Sequence, residues 1–550
     1  MITLKWNRIK ILKDNCPDLE SALLENRNIN SEMKESFFSP KFSDLHDPFL
    51  FGEMESWTNR IIKAKENSER VVVFWDYDVD WVSSTAMLVK FFHHIWIQVS
   101  YRLPHRVTDW YWLKSYFFDD LQKNKVSLVV TVDCWTRDID AINYAASLWI
   151  DIIITDHHTV PEIIPQNIIS LINPKNPKCK YPNKGLSWSW VAFKLLHALA
   201  VKLFPENEVE WIIKNYIDFA MLWTVADCME LIWENRVIAY LWLKQLKHTN
   251  SHGLKKLLEW SDLDNMDADV IGFKVWPRLN AAWRMDTPYK ALKVLLAWEQ
   301  NLDEALAEIE DLNLNRKESV ERFLRIAKDK ADISKNVIFY DSKDIEHWII
   351  WLIAWRLCEA HNKIAIVLKD EWEKLVWSVR WPAFLSLIPL LDSCKDLFEV
   401  YWWHDQAAWF TILKKNFLEF AKKIEHWVKK YIVNKDSTKT IVIDTIVDLK
   451  AVDSKMLLLI NRMMPYGIWN PKPLFMLKNV RFDQVAYLWK EQKHLRFSIN
   501  WSKLEFKAFW MWEHYSKLVR SNWYAIIFEL EKNIWNWRES LSLNIKDIVI

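Results

Sequence analysis

Glycine is almost missing from this chain, with 5 in 550 residues. Ordinary proteins carry roughly 7%, and turns with φ > 0 or close backbone approach depend on it because it has no Cβ. Cysteine is also sparse. The six, at positions 16, 134, 179, 228, 358 and 394, form no C-x-x-C pair, which argues against a structural zinc site or a disulfide framework and for reduced, mostly buried thiols. No apolar run is long enough to span a bilayer, and Met1 to Lys13 alternates Lys and Arg with apolar residues, without a signal-peptide core. A cytoplasmic location with no membrane partner is the expectation. Net charge is also absent: at +1 the chain has no global field for nucleic acid, so such a partner would need local basic patches.

Tryptophan fills the gap that glycine leaves. There are 37, and the two types pooled restore roughly the 7% glycine share of an ordinary protein. Asp80-Trp81, Trp188-Ser189-Trp190, Trp402-Trp403-His404 and Trp510-Met511-Trp512 have the look of turns and short connections, where a large aromatic is sterically unwelcome. The pattern predicts that these codons are UGA, read as glycine in the source organism and translated here as tryptophan. Positive φ at many of these residues is then expected. Trp6 and Trp535 are the best candidates for real indoles. The rival reading is a Trp-rich surface with stacking platforms for bases, which leaves the missing glycine unexplained.

The length suggests three or four domains, and 26% charged residues with a mean hydropathy of -0.14 describe a globular chain. From Arg70 to Ile154, β-branched runs end in acidic residues: Val71–Phe74 before Asp76, Asp78 and Asp80; Ser127–Val132 before Asp133; Ile152–Thr155 before Asp156, His157 and His158. Helix-like stretches at Ser83–His94 and Asp138–Ala146 lie between them. This alternation predicts βαβ units around a buried parallel sheet, with all three acidic clusters on the carboxyl rim where such sheets bind ligands. Helices are expected over Val191–Phe204 and Trp211–Leu222, and an amphipathic connector helix or helical pair over Leu302–Ile333. Strand-like runs at Val337–Tyr340 and Lys363–Leu368 mark a second α/β domain. Short alternating strands from Lys439 onward suggest a small β-barrel.

Hard oxygen donors with imidazole suit Mn²⁺ or Mg²⁺. Carboxylates crowded on one rim would repel one another without a cation, and two metals could share them, activate a water and stabilise a leaving phosphodiester oxygen. A single strand-end Asp is most often a turn residue or helix cap; three converging strand ends are a stronger signal.

The segments Trp75–Trp81, Val132–Trp135, Asp156–His158 and Ala226–Cys228 resemble the four motifs of the DHH phosphoesterase superfamily. Pro104–Leu113, Trp276–Met285, Tyr401–Trp409 and Pro465–Pro471 narrow the resemblance, once Trp is replaced by Gly, to the RecJ family of bacterial single-stranded-DNA exonucleases. The resemblance covers nearly the whole chain. It implies an α/β fold class: an N-terminal segment (1–50), a parallel-sheet DHH domain (51–240), linking helices (241–335), a smaller α/β DHHA1 domain (336–435) and a C-terminal β-barrel of the OB-fold (436–550).

The roles it implies fall on matching positions. Asp78, Asp80, Asp133, His157 and Asp227 are the expected metal ligands for two Mn²⁺ or Mg²⁺ ions, with Asp76 and Asp156 as neighbours and His158 near the reacting phosphate. Asp227 could instead cap the next helix. Arg106, Arg278, Asn280, Ser378, Arg380 and His404 are the expected substrate contacts; for the arginines, bidentate phosphate geometry explains the residue type. The activity implied is 5′-to-3′ hydrolysis of single-stranded DNA in repair and recombination, with a single-strand-binding protein and a helicase as candidate partners. The alternatives are a DHH/DHHA1 phosphodiesterase for short oligonucleotides or cyclic dinucleotides, and a catalytically silent strand-binding scaffold.

Overall fold

The computed structural model describes the chain except residues 1–2, 6, 15–17, 76–81, 103–114, 133–138, 158–159, 161–162, 187, 227–228, 260–266, 268–269, 298, 405, 433–437, 489–492, 500–501, 503, 519–522, 536–537 and 550. It divides into two compact units. The larger comprises Ile11–Glu310 and Ile443–Lys546, the smaller Met1–Lys10, Asp311–Val442 and Asp547–Ile550.

The strands, in chain order, begin with β1 (Arg8–Lys13). The first sheet is built from β2 (Arg70–Trp75), β3 (Gln98–Arg102), β4 (Val126–Val132), β5 (Asp151–Thr155) and β6 (Ser170–Ile172), in the order β3-β2-β4-β5-β6. Every pairing is parallel. Near-continuous Val and Ile runs suit a sheet covered on both faces: Val72, Phe74, Val129, Ile152 and Ile154 pack with Phe118 and Ile142 in one core. The helix Val82–His94 is buried from Val82 through Val89, as befits a crossover element. The expected helix over Trp211–Leu222 is instead two, Glu206–Lys214 and Ile217–Ala226. Asn215 and Tyr216 close the first turn back onto Ile212 and Ile213, so the apolar periodicity runs on through a break in the backbone.

The smaller unit holds β7 (Val337–Ser342), β8 (Ile364–Glu371), β9 (Lys374–Arg380), β10 (Phe398–His404) and β11 (Ala407–Leu413), ordered β10-β11-β9-β8-β7. Its core joins Ile364, Ile366, Trp377, Val379 and Phe410 to Phe420 and Ile424 of the helix Lys414–Ile432. Leu302–Ile333 resolves as one 32-residue helix, Glu299–Lys330.

The remaining strands are β12 (Thr440–Ile446), β13 (Phe475–Val480), β14 (Gln484–Leu488), β15 (His494–Ser498), β16 (Glu505–Ala508), β17 (Tyr524–Trp535) and β18 (Arg538–Val549). With β1 they form one sheet ordered β1-β12-β13-β17-β18-β16-β15-β14. The sequence pattern missed β1 and β14. Both alternate only exposed and half-buried positions, so neither carries a buried apolar stripe.

The tryptophans divide into groups. Trp96, Trp149, Trp233, Trp372, Trp469 and Trp510 have φ between 41° and 74°, as predicted for residues standing in glycine positions. Two expectations fail. Trp402 and Trp403 lie in β10, paired with Trp409 and Ala408, so they are extended rather than in a turn. Trp188–Trp190 opens the helix Trp188–Leu203 rather than lying in a connection. Trp81 lies outside the described residues.

Candidate active site

Three adjacent strands of the first sheet end level with one another. Trp75 pairs with Val132 across β2 and β4, and Val132 pairs with Thr155 across β4 and β5. The next residues along the chain are Asp76, Asp133 and Asp156. Neighbouring strands are about 4.8 Å apart, so three strand ends, each followed in the sequence by an acidic segment, lie side by side.

Of the rim residues, Asp156 and His157 are described. Asp156 is 3% exposed. Its backbone N–H donates to the Ile172 carbonyl at 2.9 Å, which continues the β5–β6 ladder, and its Oδ1 accepts the His157 N–H at 2.7 Å. His157 Nδ1 lies 3.4 Å from the Leu186 carbonyl. A carbonyl can only accept, so that contact favours the tautomer with hydrogen on Nδ1 and the lone pair on Nε2, the form that ligates metals. Thr155 donates its hydroxyl to the Thr131 carbonyl at 2.6 Å, stitching β5 to β4 just behind the rim. Neither the Leu186 carbonyl nor the Thr155 stitch has a sequence signal, because a backbone acceptor is not encoded by residue type.

Asp76, Asp78, Asp80, Arg106, Asp133, His158 and Asp227 lie outside the described residues. Asp227 follows directly on the helix Ile217–Ala226. The next helix, Trp233–Gln245, has Ile232 at its N-cap, so a capping role for Asp227 there is excluded. Carboxylates with imidazole on adjacent strand ends form a donor set that fits Mn²⁺ or Mg²⁺.

Arg278 and Asn280 sit on the helix Trp276–Met285 of the larger unit. Arg278 Nε is bonded to the Glu310 carboxylate and its Nη1 donates to the Lys274 carbonyl at 2.6 Å, so its charge is engaged within the chain. Asn280 is half-buried.

In the smaller unit, His404 pairs with Ala407 across β10 and β11, and Ala407 pairs with Arg380 across β11 and β9. His404 and Arg380 therefore share one cross-strand row, two strand spacings apart. Ser378 is buried two residues before Arg380 on β9, on the same face. The Arg380 guanidinium donates to the Val379 carbonyl at 3.0 Å and lies 5.9 Å from the Trp351 ring. Among the described residues no carboxylate pairs with it, and burial pulls its pKa down to about 10. A desolvated cation without a counter-anion is a natural phosphate receptor.

A cavity of about 700 Å³ runs along the edge strand β3, lined by Gln98 to Arg102 together with Arg70, Val72 and Val126.

The family model described as "DHH family, N-terminal domain" matches residues 70–223, and that described as "RecJ OB domain" matches residues 443–547. The single-stranded-DNA-specific exonuclease RecJ of Bacillus subtilis (strain 168) is 28% identical over 543 residues, covering 97% of this chain and 68% of its own length. The crystal structure of RecJ in complex with Mn²⁺ from Thermus thermophilus superposes with a TM-score of 0.80 at 22% identity, covering 99% of this chain and 79% of that one. A crystal structure of exonuclease RecJ bound to manganese gives a TM-score of 0.58 at 25% identity, over 70% of this chain and 97% of that one. The parallel sheet with its acidic rim, joined to an OB module, defines a DHH phosphoesterase. Within that class, the chain is similar to the RecJ exonucleases over nearly its whole length.

Proposed function

We propose that this chain is a divalent-metal-dependent exonuclease that hydrolyses single-stranded DNA from the 5′ end, acting in the cytoplasm in DNA repair and recombination. The observation that carries the reading is the level ending of β2, β4 and β5, each followed at once by an acidic segment. Similarity to the RecJ relatives supplies the substrate. Among the described residues no helix is long and apolar enough to cross a membrane.

Asp78, Asp80, Asp133, His157 and Asp227 would hold Mn²⁺ or Mg²⁺, and the bound ions would lower the pKa of an attacking water and offset charge on the phosphodiester oxygens. Asp76 and Asp156 would brace the ligand set, with Asp156 fixing the backbone of His157. His158, the next residue in the sequence, would handle a proton at the reacting phosphate. Ser378, Arg380 and His404 would receive a substrate phosphate, with Arg106, Arg278 and Asn280 as further contacts; Arg278 would first have to exchange Glu310 for substrate. The domain limits that go with this reading are 51–240 for the DHH domain, 336–435 for DHHA1 and 436–550 for the OB-fold. A single-strand-binding protein and a helicase are the candidate partners.

The test is end-labelled single-stranded DNA incubated with protein from its native source, in Mn²⁺, Mg²⁺ and chelator. Mononucleotide release from the 5′ end, dependent on metal and absent on duplex, is expected; metal-independent release or release from the 3′ end overturns the reading.

A further inference from the structure

Six of the eleven non-glycine residues with left-handed φ among the described residues are tryptophans, and no described glycine has that conformation. Two of the six close helices. Past the helix Val82–His94, Trp96 N–H donates to the His93 carbonyl at 3.0 Å and Ile97 N–H to the Phe92 carbonyl at 2.8 Å. Past the helix Ile139–Ser147, Trp149 N–H donates to Ala146 and Ile150 N–H to Ala145, each at 3.1 Å. These nested bonds make the Schellman cap, whose left-handed C′ residue is usually glycine. A third, Trp372, has φ 41° and opens the two-residue loop that joins β8 to β9, a position where hairpins of the II′ type place glycine.

The indoles gain nothing at these sites. Trp96 is 87% exposed, Trp149 90% and Trp372 93%. Others fail in the opposite way: Trp57, Trp190 and Trp377 are fully buried, yet their indole N–H groups find no hydrogen-bond acceptor among the described residues. Buried tryptophans normally satisfy that donor. We infer that the polypeptide made in the source cell carries glycine at 96, 149, 372 and 510, and that the codon written here as tryptophan is UGA, decoded there as glycine. Backbone conformation supports this independently of composition, because an αL site selects against a bulky side chain whatever the residue count.

The codons at these four positions should be UGA, while those of Trp6 and Trp535 should be UGG. Peptides spanning 95–98 and 148–151, from protein isolated from its source, should carry the mass of glycine. UGG codons, or peptides with the tryptophan mass, overturn the inference. In recombinant protein, Trp96→Gly with Trp149→Gly should raise Tm by several degrees; a fall in Tm would remove the conformational argument.

A second inference starts from Pro465–Pro471, a loop between the helix Ser454–Arg462 and β13. Two buried arginines grip it from the N-terminal part of the larger unit. Arg27 donates to Asn470 Oδ1 at 2.7 Å, the Pro471 carbonyl at 2.7 Å and Asp444 Oδ1 at 2.8 Å. Arg236, from the helix Trp233–Gln245, donates to the carbonyls of Phe37, Met463, Met464 and Pro465. Asp267 accepts the Tyr466 N–H, and the Leu231 N–H reaches the Ile468 carbonyl at 3.1 Å. Each arginine is 4% exposed, and a planar fork that satisfies several fixed carbonyls sets orientation rather than mere adhesion.

We propose that Arg27 and Arg236 are positioning residues that hold the C-terminal module against the N-terminal segment and the helix Trp233–Gln245, so that a long strand bound by that module is aimed at the carboxyl ends of β2, β4 and β5. This rests on the exonuclease reading. Arg236→Lys should lower kcat/KM on long single strands by about tenfold or more while leaving cleavage of very short oligonucleotides within about twofold, as a misaimed substrate requires. Asn470→Ala, which cuts the same seat from the other side, should give the same split and serves if Arg236→Lys does not fold. Equal loss on both lengths, or no loss on either, overturns the positioning role. A native protein that cleaves neither substrate refutes the exonuclease reading instead.

Discussion

Val132 pairs with Thr155 across β4 and β5, and the residues that follow them in the sequence are Asp133 and Asp156. Register thus brings together two strand ends that lie 23 positions apart in the chain. Asp133→Ala should abolish metal-dependent nuclease activity while leaving much of the strand binding. The loss should exceed the roughly 10–100-fold that removal of an outer-shell partner costs. Cleavage assays in a Mn²⁺ titration check this, and unchanged turnover at saturating metal would refute the ligand assignment.

Arg380 is half-buried without a carboxylate partner among the described residues, so a substrate phosphate would complete its site. Truncating one side of such a charge pair costs about 2 kcal/mol or more, or roughly 30-fold in affinity. Arg380→Ala should therefore raise KM for 5′-phosphorylated strands by about that factor and erase the preference for them over unphosphorylated ends. Equal use of both ends by the unaltered protein would remove the role.

What could be read in advance followed the physics of burial. The parallel sheet was legible because β4 and β5 are Val- and Ile-rich runs buried on both faces, with acids placed where they end. β14 was not, since its Gln484–Leu488 alternation never reaches a buried position. Asp156 and His157 stood out as candidate site residues by type and spacing, whereas the Leu186 carbonyl opposite the imidazole has no residue signature. Trp402 and Trp403 were misread for a specific reason: glycine-like composition suggested a turn, but pairing with β11 holds them extended.

Lys194 Nζ lies 2.8 Å from the Glu234 carboxylate, and both side chains are sealed from water. Glu234 also accepts the Tyr181 hydroxyl at 2.5 Å and the His46 N–H at 2.7 Å, while Lys194 donates to the His46 carbonyl at 2.6 Å. Removing one partner of a buried pair strands the other charge and costs about 3–5 kcal/mol. Lys194→Met should thus lower Tm sharply, and adding Glu234→Gln should recover much of the loss. A double variant no more stable than Lys194→Met alone, by thermal or urea melts, would show that the hydrogen bonds of the carboxylate outweigh its charge.

Two buried groups give opposite pH dependences. Burial, helped by the neighbouring Lys194 charge, pulls the His197 imidazole down from 6.5 to about 3. In that window the unfolded chain binds the extra proton, so this contribution to stability is present above pH 6.5 and is lost as pH falls toward 3. Burial pushes Asp218 up from 3.8 to about 7, against the hydrogen bond from Thr249 and the charge of Lys90. There the folded chain binds the extra proton, so stability is lost as pH rises from 3.8 through 7. Between about pH 4 and 6.5 the two slopes oppose each other. Relative to the unaltered protein, Asp218→Asn should make stability rise more steeply with pH across that window, by up to about 1.4 kcal/mol per pH unit. His197→Gln should tilt it the other way. Urea midpoints measured across the window decide the matter: variants whose profiles run parallel to the original would mean that neither group changes its protonation on unfolding.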